Sequence, residues 1–265
     1  MTLHPLAAQL MQSITQHAPP ATVALLSSGG IDSLSLGFAA QRLGLTIQSY
    51  TFQVGHWRSA DVVAAERAAG RFGWGWTLVT VPIDQLEADF LTLASRWHCV
   101  KKTQFECTWP FLYVIPQIQE SLILSGIAAD GYYGVSKKAM LHYKTPKTKF
   151  DLFRREYFAQ ANPAGQAQQQ ALIAAAGKRQ CAPYLDACLL PYFLQFSWET
   201  LNKPRQKQHT LDAFPEEFAQ VKVRPHANLQ LVAGVDHIFA NLLRSYLNTK
   251  GRTRVMDLCR DYAQV

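Results

Sequence analysis

The sequence predicts an α/β fold in which a parallel, doubly wound sheet is followed by an all-helical C-terminal part. Short apolar runs rich in β-formers alternate with amphipathic stretches up to about residue 125. Two adjacent glycines separate the first of these runs from a helical pattern, and from about residue 151 onward only helical patterns remain. The chain of 265 residues is long enough for two units, and we expect a division into residues 1–150 and 151–265.

Each element of the first unit follows from its own pattern. Strands are predicted at residues 22–26, 46–54, 77–81 and 121–125, and helices at residues 3–17, 32–43, 59–72, 83–94 and 110–120. In parallel sheets, ligands bind beyond the carboxyl ends of the strands. Ser28, Gln53 and Ser125 are therefore expected at one edge of the sheet.

The second unit has helical periodicity alone. The predicted helices cover residues 151–160, 166–176, 185–201, 210–220, 232–247 and 253–263. The preceding segment, residues 143–150, is basic and contains Pro146, so we expect a linker or a mobile loop there.

The composition limits the compartment and the partners. No apolar run reaches membrane-spanning length and no signal-like leader is present, so the sequence predicts a cytoplasmic protein without a membrane partner. Five cysteines without a CxxC pair indicate reduced thiols. The formal net charge of +7 favours polyanionic partners, and much of the excess lies in residues 137–149 and 203–207. Such clusters are most often solvated surface, and nucleic-acid contact is the alternative interpretation.

The glycine pair lies in a segment with the chemistry of a phosphate site. Gly29 and Gly30 permit a tight turn, and the first amides of the next helix point into the same space, where the helix dipole favours an anion. The Asp32 carboxylate would repel a phosphate unless a hard cation such as Mg²⁺ lay between them. The segment thus indicates a Mg²⁺-bound polyphosphate, and the alternative is an ordinary turn capped by Asp32 or Ser33.

The letters SGGIDS do not fit the Walker pattern, which needs a longer glycine loop followed by Gly-Lys-Ser/Thr. They resemble the signature of the PP-loop ATP pyrophosphatases, which cleave ATP between its α and β phosphates and hold the pyrophosphate in this loop. The resemblance implies a fold of the adenine nucleotide alpha hydrolase type, with ATP and Mg²⁺ as cofactors.

Three further landmarks follow in the order found in asparagine synthetases. LSGIAADGYYG, residues 124–134, resembles their LSGEGADE segment, and APYLD at residues 182–186 resembles the end of their GVEARVPFLD. KQHTLDAF at residues 207–214 has the spacing of their K-x-x-L-R-x-x-F. The likeness covers residues 20–240, approximately, and implies the synthetase part without a glutaminase domain, since the first strand begins near residue 22 and no cysteine follows Met1.

The resemblance implies roles for particular positions. Pyrophosphate and adenylate contacts would fall on the loop, on the end of the second strand and after the fourth strand: Ser28, Gly29, Gly30, Ile31, Asp32, Ser33, Phe52, Gln53, Val54, Ser125 and Gly126. Asp32 and Asp130 would lie near the metal. The candidate catalytic residues are Asp32, Asp130, Lys207, Arg224 and His226.

Two departures argue against a true asparagine synthetase. Ile127 replaces the family's acidic residue after Ser-Gly, and His226 lies near the position of an expected lysine, which Lys222 could replace. The predicted function is therefore an ATP-dependent, adenylate-forming ligase that activates a carboxylate or amide oxygen of an unidentified acceptor. Its amine would be free, or supplied by a separate amine- or ammonia-donating protein. The alternatives are modification of a base in DNA or RNA, and a degenerate nucleotide-binding module.

Two isolated residues leave their roles open. Glu106 could face the pocket as a base or substrate contact, although a surface ion pair is the commoner outcome. Cys107 could be a nucleophile, although a buried reduced thiol is more usual.

Overall fold

The computed structural model describes residues 3–160, 166–223, 234–238, 240 and 241. Its centre is a five-stranded sheet with the order β3-β2-β1-β4-β5, in which every pairing is parallel. The strands are β1 (Thr22–Leu26), β2 (Thr46–Val54), β3 (Gly75–Val81), β4 (Leu122–Leu124) and β5 (Arg179–Cys181). The predicted α/β class and doubly wound sheet are confirmed.

The strand order creates the crevice in which a ligand can bind. β1 is central, pairing with β2 on one side and with β4 on the other. The chain builds outward from β1 to β3 and then returns to add β4 and β5 on the opposite side. The carboxyl ends of β1 and β4 therefore border the point where the order reverses, which is the usual ligand position in open α/β sheets.

Helices cover both faces of the sheet. The first six are α1 (Pro5–Gln16), α2 (Ile31–Arg42), α3 (Ala60–Phe72), α4 (Leu86–Ser95), α5 (Lys102–Thr108) and α6 (Phe111–Gln117). They are followed by α7 (Ala129–Tyr133), α8 (Lys137–His142), α9 (Lys147–Phe158), α10 (Gln166–Ala175), α11 (Leu189–Phe193), α12 (Trp198–Asn202), α13 (Gln208–Ala213) and α14 (Pro215–Phe218). Within the described ranges, no helix is long and apolar enough to cross a membrane.

Local chemistry fixes several of these boundaries. The Ser59 hydroxyl accepts from the Val62 amide at 3.3 Å and begins α3, whereas Gly73, with φ of +70°, ends it. Helix α2 lies in the core, where Phe38 contacts the rings of Phe72 and Phe218. The loop that precedes α2 is consequently held by a rigid, buried element.

The C-terminal part differs from the sequence prediction in two main places. The prediction of helices alone after residue 151 is wrong, because β5 supplies the edge strand beside β4. Three residues are too short for a period-2 pattern to identify. The predicted helix at residues 185–201 is instead a 3₁₀ turn (Pro183–Leu185) followed by α11 and α12, and Ser197 caps the start of α12. The division at residue 150 remains a prediction.

Other differences are smaller. The predicted helix at residues 210–220 is interrupted where Pro215 begins α14. The predicted loop at residues 143–150 is wrong from Lys147, where α9 begins. Helices α5, α7 and α8 were not predicted. Of the predicted helix at residues 232–247, the described residues 235–238, 240 and 241 are helical. The predicted helix at residues 253–263 lies outside the described residues.

A buried histidine on α13 makes the free energy of unfolding depend on pH. His209 on α13 is buried, its Nε2 lies 2.7 Å from the Tyr192 hydroxyl, and its ring centroid lies 5.1 Å from that of His4. Burial, and secondarily the charge of His4, lowers the pKa of His209 to about 4. The folded state therefore keeps this ring neutral at pH values where the unfolded chain binds a proton.

Replacing this histidine tests that linkage. The free energy of unfolding of the wild type should fall as the pH decreases from 6.5 to about 4, because only the unfolded state gains the proton. H209Q should show a shallower decline of Tm across this window, and H56Q, at an exposed position, should follow the wild type. Equal slopes for H209Q and the wild type would contradict the assignment.

Candidate active site

The glycine loop is shaped for close backbone approach. It runs from the end of β1 at Leu26 to Gly30, the N-cap of α2. Gly29 has φ of +67°, and a Cβ atom at this position would lie 2.5 Å from the Cβ of Ala64. Both the left-handed backbone and the packing against α3 therefore require glycine here.

Serine hydroxyls hold the loop in this shape. Ser27 Oγ accepts from the Gly29 amide at 3.3 Å, and Ser28 Oγ accepts from the Gly30 amide at the same distance. Ser33 Oγ donates to the Gly30 carbonyl at 3.1 Å. The first-turn amides of α2, from Ile31 onward, have no acceptor within their own helix. They form the type of backbone site that binds phosphate.

The end of β4 meets the same loop. The Ser125 amide donates to the Cys181 carbonyl at 3.0 Å, and its hydroxyl donates to Gln169 Oε1 at 2.9 Å. A Cβ at Gly126 would lie 3.1 Å from the Asp32 carbonyl carbon, so the lack of a side chain at this position permits the close approach. The two segments that the sequence selected are thus adjacent across the reversal point of the sheet.

A buried lysine joins the two segments. Lys207 Nζ lies 2.5 Å from Asp32 Oδ2, at the start of α2, and 2.5 Å from Asp130 Oδ1, on α7. The lysine side chain is 3% exposed, whereas those of Asp32 and Asp130 are 20% and 45% exposed. Asp32 and Asp130 lie 175 and 77 positions before Lys207 in the sequence, and both contact its ammonium group.

The ammonium of Lys207 remains protonated. Burial alone would lower its pKa, but the two neighbouring carboxylates outweigh burial, and the pKa is raised above its ordinary value. The lysine can consequently donate hydrogen bonds and offset negative charge, but it cannot act as a base or an amine nucleophile near neutral pH.

An asparagine holds Lys207 in place. The Lys207 amide donates to Asn202 Oδ1 at 3.1 Å, and Asn202 Nδ2 donates to the carbonyls of Tyr133 and Trp198, both at 3.0 Å. Asn202 is 3% exposed, and Lys207 has φ of +60°, which is uncommon for a residue with a Cβ. No sequence signal identified Asn202, because an isolated asparagine has no pattern of its own.

Buried hydroxyl contacts hold the helices that carry the two carboxylates. Ser35 Oγ donates to the Asp32 carbonyl at 2.8 Å and lies 2.8 Å from the Tyr184 hydroxyl. The Tyr133 hydroxyl contacts Thr210 Oγ1 on α13. Hydroxyl contacts therefore fasten α2, which carries Asp32, to the 3₁₀ turn, and α7, which carries Asp130, to α13.

The remaining predicted site residues differ in burial and in location. Phe52 and Gln53 are half-buried at the end of β2, and Val54 is buried beside them. The side-chain nitrogen Nε2 of Gln53 donates to the Gly55 carbonyl and to Thr80 Oγ1, both at 3.2 Å. The Gln53 side chain is therefore held at the β3 side of the sheet. Ile127 is half-buried after Gly126. Arg224 and His226 lie outside the described residues, whereas Lys222 is exposed.

The structure shows the surroundings of Glu106 and Cys107, whose roles the sequence left open. Glu106 is 3% exposed, and its Oε1 lies 3.0 Å from Lys102 Nζ, so it forms an ion pair from a buried position. Burial, and then the charge of Glu106, raises the pKa of the Cys107 thiol to about 11. A thiol that is protonated at neutral pH is a poor nucleophile.

The acidic pair fits a magnesium ion that is shared with phosphates. Asp32 and Asp130 already converge on one positive charge, and Mg²⁺ in nucleotide sites usually takes one or two carboxylates together with phosphate oxygens. Among the residues that the structure describes, no cluster of three or more His, Cys, Asp or Glu side chains could hold a metal by itself. Phosphate oxygens would have to complete the coordination.

Removal of the ammonium should be costly to the fold. In K207M the two carboxylates lose their shared partner, and we expect the free energy of unfolding at neutral pH to fall by about 2 kcal/mol. This loss is smaller than for a fully buried ion pair, because both aspartates reach solvent. The loss should shrink toward pH 4, where protonation removes the repulsion between the carboxylates. Chemical denaturation measures it. K222M, which removes an exposed lysine, is the control, and equal stabilities of the two variants would refute this account.

Comparison with known proteins identifies the family. The asparagine synthase family matches residues 6–246. A solved structure of a predicted tRNA methyltransferase subunit from Methanocaldococcus jannaschii is 15% identical, with 77% of this chain and 93% of that chain covered and a TM-score of 0.37. NMN synthetase from Francisella tularensis is 14% identical, with coverage of 84% and 96% and a TM-score of 0.35. The comparison with curated proteins gave no match.

The family match covers most of the chain and includes the loop, the end of β4 and Lys207. The family match supports an ATP-utilising function of the synthetase or ligase type, which agrees with the backbone amides at the start of α2. The prediction from the SGGIDS segment is thereby confirmed at the level of the family. The chain belongs to the asparagine synthase family.

Proposed function

We propose that this protein is an adenylate-forming ligase that activates a carboxylate or amide oxygen of its acceptor with ATP. The observation that carries the proposal is the joining of Asp32 and Asp130 by Lys207 beside the glycine loop. This arrangement provides backbone amides for phosphate oxygens and a fixed positive charge next to them. Both features suit a reaction in which negative charge accumulates on departing pyrophosphate.

In the first step, the acceptor oxygen attacks the α-phosphorus of ATP. A new oxygen–phosphorus bond forms, the bond from the α-phosphorus to the bridging oxygen breaks, and pyrophosphate leaves with the electron pair. The amides that follow Gly30 bind the leaving phosphates, and Lys207 donates hydrogen bonds to the charge that develops on them. Mg²⁺ held by Asp32 and Asp130 would supply further charge neutralisation.

In the second step, an amine attacks the activated carbon, AMP leaves, and the amine loses a proton. Ile127 lies where the family resemblance implies a carboxylate, so the chain offers an apolar contact beside Gly126 instead of an acidic group. An acceptor with a different group at this point would suit the pocket better than aspartate. We therefore propose an acceptor other than that of a true asparagine synthetase.

The loop carboxylate provides the most direct test. D32N keeps the size of the side chain but removes its charge, so it should lower ATP-dependent pyrophosphate release at least about a hundredfold, or roughly 2.7 kcal/mol of transition-state stabilisation. D84N, which changes an exposed aspartate, should release pyrophosphate at the wild-type rate. Release is measured with pooled acids and amides as acceptors. Unchanged release by D32N would remove the loop from the mechanism.

Asn202 allows a separate test of geometry. N202A removes the hydrogen bond to the Lys207 amide but leaves the loop amides intact, so we expect kcat to fall about tenfold while the KM for ATP changes little. T200A, on the exposed side of the same helix, should retain both parameters. A change in KM alone for N202A would show that the asparagine serves nucleotide binding instead.

A further inference from the structure

Two basic segments that are distant in sequence meet beside the candidate site. The first, residues 137–149, spans α8 and the start of α9, and the second, residues 203–207, follows α12. Trp198 Nε1 donates to the Gly134 carbonyl at 3.2 Å, and Lys144 Nζ lies 5.3 Å from the centre of the Trp198 ring. Asn202, the residue before Lys203, donates to the Tyr133 carbonyl. The end of α7 is therefore flanked by both segments.

The exposed cations of these segments form what we call the basic rim. Its members are Lys137, Lys138, Lys144, Lys149, Lys203 and Arg205. Lys147 is excluded because it is bound to Asp151 at 2.7 Å and to the Leu194 carbonyl. Between Val135 and Phe150 the chain contains no acidic residue, so the first of the two segments is a stretch of concentrated positive charge.

The rim adjoins the reacting groups. Helix α7 carries Asp130, which contacts Lys207, and it ends only a few residues before Lys137. Helix α9 packs closely on α7, because a Cβ at Gly131 would lie 2.3 Å from the Tyr157 ring. A chain bound along the rim would therefore lie within reach of the crevice.

We propose that the basic rim binds the phosphodiester backbone of a single-stranded nucleic acid, which presents the acceptor group to the crevice. This inference rests on the proposed function for the position of the reacting group, but not for binding itself. Charge complementarity identifies the partner, because several cations spread over two segments match a repeating polyanion. A single strand fits because an acceptor base has to leave any base stack before its oxygen can reach the α-phosphorus.

A membrane surface suits the rim less well. Leu141 and Leu152 are exposed by 67% and 56%, but they are single side chains on separate helices. Membrane-surface helices bury a continuous apolar face, which these two residues do not form. Carbonyl- and amide-containing bases also provide the oxygen acceptor that the proposed chemistry requires.

Salt-dependent binding tests the rim without any catalysis. The full chain is titrated into labelled single-stranded RNA and DNA of about 16 nucleotides, and anisotropy is measured over a range of salt concentrations without ATP. Each phosphate contact contributes a slope of about −0.7 to log K against log[salt] for single strands. K137A/K144A/K203A should therefore reduce the slope by about 2 units and the affinity about a hundredfold near 0.1 M salt.

Three exposed cations outside the rim provide the matched control. R67A/R96A/K101A removes the same charge from other parts of the surface and should retain the wild-type slope. Binding of either labelled strand that depends on the rim supports the proposal. It is overturned if neither strand binds, if both triple variants weaken binding equally, or if polyglutamate or anionic vesicles bind as tightly through the same lysines. D32N should still bind the strand, so failure of the rim and failure of the proposed chemistry are distinguishable.

Discussion

One buried ammonium group organises the candidate site. Lys207 binds a carboxylate on α2 and a carboxylate on α7. These helices follow β1 and β4, the neighbouring strands between which the strand order reverses. A charge with so little exposure is costly unless it is paired, and the two aspartates supply that pairing. The two helices are therefore fixed relative to one another by the ammonium group that balances part of the negative charge of their aspartates.

The surrounding structure makes this arrangement specific. Asn202 uses its carbonyl to hold the Lys207 amide and its amide to hold two carbonyls, one of them on α7. The left-handed backbone of Lys207 and of Ala128, at the start of α7, is a local cost of about 1 kcal/mol or more for each residue. Such conformations persist where neighbouring contacts over-determine them, which is the case around Asn202.

The sequence indicated candidate site residues more readily than the residues that hold them in place. The glycine loop was readable because a strand, two glycines and a helix start occur within a few adjacent residues, and β1 and β2 were placed with their observed ends. Lys207 and Asp130 were selected through a family resemblance, since neither residue has a local pattern. Asn202 and β5 were missed, because their roles depend on contacts formed between distant segments. The short helices α7 and α8 were missed for a related reason: tertiary packing, rather than periodicity, determines helices of five or six residues.

We propose that the glycine loop and Lys207 together hold the departing phosphates of ATP. The most direct measurement is a crystal structure with Mg²⁺ and an ATP analogue whose α–β bridge is a methylene group. We expect the β- and γ-phosphate oxygens to lie within hydrogen-bond distance of the amides at the start of α2, and Lys207 Nζ to contact a phosphate. A nucleotide bound away from Gly29 and Gly30, with Lys207 still contacting only the two aspartates, would contradict it.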